Sequence, residues 1–127
     1  MTGKELFDIA LDLCGLRKTD GSIPDDVDDL QQRAISLTNL VLAENAEIDC
    51  RIRRIEHRTS SIKSLEDRLD CSDIVASSVL PYGMARLLLL GEDDALASNF
   101  HNLYLDARKR AIRFGKARSE AITGVYE

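Results

Sequence analysis

The amino-acid sequence predicts an all-α fold: a small bundle of about four to five helices with one long helix, an irregular central excursion and an extended C-terminal arm. Three observations carry that prediction. Apolar side chains recur at steps of three and four through most of the chain, the period of a helix face. Two Pro and seven Gly among 127 residues are too few for a loop-rich sandwich or barrel. Aromatics make up 5% with no Trp, which leaves the core to Leu, Ile, Val and Ala. The length and the balance of 44% hydrophobic to 31% charged residues suit one globular domain. We expect a helical domain over 1–118, with 56–72 as an exposed loop, and a docking arm over 119–127.

The first helix starts at Thr2, with Glu5 three residues on completing a capping-box pattern. Leu6, Phe7, Ala10, Leu13 and Cys14 form its apolar face, and Gly15 stops it. Residues 17–23 (RKTDGSI) read as a polar turn. Pro24 followed by DDVDD reads as a helix start, because Pro fits the first turn and acids suit the positive end of the dipole. The stripe Val27, Leu30, Ala34, Leu37, Val41 predicts a long second helix from about 25 to at least 46, roughly 30 Å or more. That stripe can continue through Ile48 to Ile52 and Ile55. Ile35, Leu40 and Leu42 widen the apolar face towards neighbours on two sides.

Residues 56–72 lose the periodicity, with a short extended piece expected near Ile62–Leu65. Ser72 or Asp73 caps a third helix bearing Ile74, Ser78, Tyr82, Ala85 and Leu89. Pro81 inside it predicts a kink, or two short helices meeting near Val79–Pro81. Gly83 so close to Pro81 marks a required bend or a close backbone approach. Gly91 ends this unit, and Asp93 or Asp94 opens a fourth helix. Its face is Leu96, Phe100, Leu103, Tyr104, Ala107, Ala111 and Phe114, and Gly115 is read as its close. The last residues, AITGVYE, read as the arm.

Chemistry-bearing motifs are sparse. His57 and His101 have no partner at metal-ligand spacing. Asp25, Asp26, Asp28 and Asp29 lack the alternating ligands of a calcium loop and are explained by helix-start electrostatics. Cys14, Cys50 and Cys71 form an odd set without CxxC spacing, which implies reduced, packed thiols and synthesis in a reducing cytoplasm. No GxSxG, phosphate-binding loop or dinucleotide fingerprint is present. A non-enzyme without cofactor or metal is expected. The first stretch carries acids within its apolar residues, and the longest apolar run, Leu87–Leu90, is too short for a bilayer. No membrane partner is expected.

Net charge is −5, which argues against a general nucleic-acid binder. It is unevenly spread: residues 1–50 carry net −7 and residues 51–127 net +2. Such halves complement each other within a subunit or between copies. Two basic clusters stand out, Arg51, Arg53, Arg54 and Arg58, and then Arg108, Lys109, Arg110, Arg113, Lys116 and Arg118. Charge at helix C-termini and a solvated face explain most of both, and contact with phosphate or with an acidic patch on another subunit is the functional reading.

The order NLVLAENAEID, IKSLEDRLD, VLPYGMARLLLLGEDDALASNFHNLYLDARKRA and a terminal ITGVYE resembles the head–tail connector, or adaptor, proteins of bacteriophages and prophages. The likeness spans about residues 30–127, with LPYGMARLLLLGEDDALASNF its most characteristic part. The resemblance implies a helical bundle assembling as a ring, commonly of roughly twelve copies, beneath the portal. The partners it implies are other copies of the chain, the portal protein and a tail or stopper protein. DNA would pass through the channel without its sequence being read. The protein would be made in the bacterial host cytoplasm and reside at the head–tail interface of the virion. Arg51, Arg54, Arg58, Arg110, Arg113, Ile122, Val125 and Tyr126 are the residues expected to make assembly contacts. The alternative is a small helical DNA-binding or regulatory module that uses Arg108–Arg118.

Overall fold

The computed structural model describes residues 1–16 and 27–125, with the side chains of 1–16 and 31–117. Six helices follow one another among these residues: α1 (Gly3–Cys14), α2 (Val27–Glu44), α3 (Ala46–Arg53), α4 (Asp73–Ser78), α5 (Leu80–Leu89) and α6 (Asp94–Val125). No strand occurs among the described residues; a single bridge pairs Thr2 with Arg68. The fold is all-α, a small bundle as the periodicity predicts. The polar turn at 17–23 and the helix start expected at Pro24 lie outside the described residues.

Helix α5 occupies the middle, packed against α6, α1, α2 and α4, while α3 packs on α6. Its composition explains the position. Leu80, Pro81, Gly83, Met84, Ala85, Leu88 and Leu89 are all buried, and a helix apolar on most sides must be surrounded. Around it converge Leu6, Phe7, Ala10 and Leu11 of α1, Ala34, Val41 and Leu42 of α2, and Tyr104, Ala107 and Ala111 of α6. A smaller cluster joins Ala85 and Leu89 to Ala97 and Phe100, with the Tyr82 and Phe100 rings stacked at 6.4 Å between centroids.

Several ends are set by local chemistry. Thr2 caps α1 by accepting from the Glu5 amide at 3.1 Å, and Gly15 closes it in the left-handed region at φ 67°. Pro81 splits the third predicted helix in two: α4 ends at Ser78, and α5 carries the proline in its first turn, where no amide donor is needed. Ser72 caps α4, Gly91 turns the chain at φ 85°, and Asp93 accepts from the Leu96 amide at the start of α6.

Four expectations are corrected. The long second helix breaks at Asn45, so α2 and α3 are separate and the longest helix is α6, with 32 residues and about 48 Å of rise. Gly115 does not end α6. It is buried there, and a Cβ would sit 3.3 Å from Ile52 Cγ1, so the glycine serves the approach of α3. Residues 119–125 are helical, not an extended arm. The 56–72 segment is irregular and mostly exposed as predicted, but Ile62 and Leu69 are buried in the core. Its backbone also holds the N-terminus, through bonds from Gly3 and Lys4 amides to Asp67 and Leu65 carbonyls and from the Leu69 amide to the Met1 carbonyl.

Candidate interaction site

Two polar clusters flank the α2–α3 junction, and a groove opens beside them. The first cluster is built on Tyr104 of α6, whose side chain is 1% exposed. Its hydroxyl accepts from Asn45 Nδ2 at 2.7 Å and donates to Glu44 Oε1 at 3.2 Å. The same Asn45 nitrogen donates to the Val41 carbonyl at 2.8 Å, which ties the end of α2 to α6. Arg86 of α5 clamps both Glu44 carboxylate oxygens at 2.6 and 2.8 Å, and its guanidinium lies 4.5 Å from the Tyr104 ring centroid. Arg108 bonds the Glu44 carbonyl at 3.0 Å, with its guanidinium 5.6 Å from the same ring.

The ring reaches this place because residue 83 is glycine. A Cβ there would stand 2.8 Å from Tyr104 Cε1, closer than real contacts allow. The close backbone approach expected near Pro81 is therefore present, and its partner is a tyrosine 21 residues further on. Burial pushes the Tyr104 hydroxyl up to about 12, against the lowering effect of the Asn45 bond. His101 accepts at Nδ1 from Arg86 at 3.1 Å, which extends the cluster to the surface.

The second cluster fastens the 56–72 segment. Asp49 of α3, nearly buried, accepts from the Ser72 amide at 2.7 Å and from Arg53 at 3.1 Å. Arg53 and Arg58 both donate to the Asp70 carboxylate, at 2.8 and 3.0 Å. Hydrogen bonding from Arg53 holds the Asp70 carboxyl below the usual carboxylate range. The thiol of Cys71 is pushed up to about 12 and that of Cys14 to about 11, mainly by burial, so both stay protonated and poorly nucleophilic near neutral pH.

The groove, about 430 Å³, lies between α3 and α6. Its apolar floor is Ile48, Ile52 and Ala111, all buried, with Ile112 exposed at its edge. Charged side chains rim it. Glu47 pairs with Arg51 at 2.7 Å and Glu44 with Arg86. Among the described residues, Arg108 and Lys116 have no carboxylate within ion-pair distance.

The residues expected to mediate assembly divide among these places. Arg51 is highly exposed on the groove rim, while Arg58 is committed to Asp70. Arg54 closes α3 in the left-handed region at φ 58°. Arg110 and Arg113 are exposed on α6. Ile122 and Val125 lie on the last turns of α6, with side chains outside the described residues, and Tyr126 is outside them altogether.

The Glu44–Arg86–Tyr104 cluster was missed by sequence reasoning, because its members are 42 and 60 residues apart and only the glycine hints at a close neighbour. No group of three or more His, Cys, Asp or Glu side chains is placed to hold a metal among the described residues. No described helix is long and apolar enough to cross a membrane. Compared with models of protein families, with characterised proteins and with solved structures, the chain matches none.

Proposed function

We propose that this chain is a structural subunit that assembles with its own copies, acting as a head–tail connector that links a phage capsid to its tail. The observation that carries the assembly reading is the pair of apolar flanks on α6. Leu103 and Phe114 stand 44% and 43% exposed, and Leu105 and Ile112 stand 38% and 43% exposed. At 100° per residue the first pair and the second lie about 180° apart, on either side of the face that α5 and α3 bury. A helix apolar on both flanks has two different surfaces to cover. Side-by-side packing of copies, each offering one flank to the next, covers both and closes as a ring when the rotation permits.

The connector reading rests further on the resemblance of residues 30–127. In it the chain catalyses nothing and binds no cofactor. Its partners are neighbouring copies, the portal and the tail or stopper protein, and DNA passes unread through the ring.

Light scattering on the purified chain, with negative-stain imaging of any large species, tests the proposal. Rings are expected, and Leu105→Glu with Ile112→Glu is expected to reduce them to monomers of unchanged helicity. Salt-sensitive DNA affinity by a monomer, lost on Arg110→Glu with Arg113→Glu, would instead establish the regulatory alternative.

A further inference from the structure

We infer that the α3–α6 groove receives the acidic segment around residues 23–29 (IPDDVDD) of a second copy of this chain, an inference that rests on the assembly reading and assigns one of its two faces. Three features of the groove define what it accepts. The floor of Ile48, Ile52 and Ala111 is apolar and suited to aliphatic side chains. The rim holds two cations, Arg108 and Lys116, that no carboxylate neutralises among the described residues, whereas both rim acids already have arginine partners. A volume of about 430 Å³ is in the range that takes a few side chains. The complementary ligand is therefore an acidic peptide with interspersed aliphatic residues.

The chain contains such a segment. Between Asp20 and Asp29 lie five aspartates and no cation, with Ile23, Pro24 and Val27 among them. It dominates the acidic first half of the chain, and the groove cations without a carboxylate partner among the described residues belong to the basic second half. Ile112 belongs both to the groove and to the flank assigned to assembly, so the groove is continuous with that face. Seating the segment of one copy in the groove of the next is heterologous, as a ring requires. Charge pairing at the rim sets register and encounter rate more than it sets affinity, and the aliphatic contacts hold the seat.

A labelled peptide of residues 18–30 is titrated against the full chain in which Asp25, Asp26, Asp28 and Asp29 are asparagine, so that its own segment competes weakly. Salt-sensitive binding is expected, weakened about tenfold by Lys116→Glu and again by Ile112→Asp. Absence of binding, or indifference to both substitutions, overturns the inference. A mixing experiment supplies the second readout. One variant carries lysine in place of the four aspartates, and the other carries Arg51→Glu and Lys116→Glu. Each alone is expected to stay monomeric, and the mixture to recover the large species. If the wild type forms rings and both variants do so unaided, the groove assignment fails while the assembly reading stands. If the wild type stays monomeric although the peptide binds the neutralised chain, the segment seats in its own groove and the second copy is ruled out.

Discussion

The two arginine–carboxylate clusters at the α2–α3 junction use the same chemistry in different surroundings. Around Tyr104 the Arg86–Glu44 pair is largely sheltered, and every member also bonds or stacks against another. Around Asp70 the pairs are open to water, with Asp70 and Arg58 about half exposed. The sheltered bonds run from Glu44 and Asn45 of the α2 end to Arg86 of α5 and Tyr104 of α6, so the first cluster fixes how α2, α5 and α6 meet. Exposed pairs contribute little energy. The second cluster instead chooses the path of a segment that has no regular structure of its own.

That contrast breaks most visibly at the ring. Tyr104→Ala is expected to cost about 3–5 kcal/mol in urea unfolding, the range for deleting a buried aromatic. A loss below about 1 kcal/mol would mean the interior is not organised around it. Next comes Gly83→Ala, expected to cost about 1–3 kcal/mol by overpacking against Tyr104. In a Tyr104→Leu background the same change is expected to cost less, and strict additivity of the two would refute the contact as its cause.

The smallest effect belongs to the exposed cluster. Asp70→Asn is expected to cost under about 1 kcal/mol, yet to speed amide exchange across 60–70 selectively. Because the Asp70 carboxyl titrates below its usual value in the fold, its contribution is present above that usual value and fades as pH falls through the lower one. The difference in urea midpoint between wild type and Asp70→Asn is therefore expected to vanish on going from about pH 6 to about pH 2. A difference that persists would show that Arg53 and Arg58 act by packing alone.

Local signals explain what the sequence disclosed. The Thr2 cap, the Gly15 stop, the split at Pro81 and the opening of α6 near Asp93 each depend on residues within one turn. The break at Asn45 does not, since the apolar stripe runs straight across it and the side chain that ends α2 is held by Tyr104, 59 residues away. Gly115 shows the same limit from the other side. A glycine in a helical pattern reads as a stop, but here it admits Ile52 of α3. The irregularity of 56–72 was legible from lost periodicity, whereas its anchorage by Ile62, Leu69 and Asp70 required the tertiary structure. For the groove, the sequence offered its basic residues as two separate clusters, and only the packing of α3 on α6 brings Arg51, Arg108 and Lys116 to one rim.

The seal between the N-terminus and residues 65–69 bears on how the chain is made. Helix α1 leaves the ribosome before the backbone groups that hold its start, which come about 60 residues later, and before its main packing partner α5, which comes later still. At about 5–20 residues per second, Leu6, Phe7 and Leu11 wait several seconds for cover. An element made before its partners stays uncovered until they follow, which makes the apolar face of α1 a surface for chaperone binding on the nascent chain.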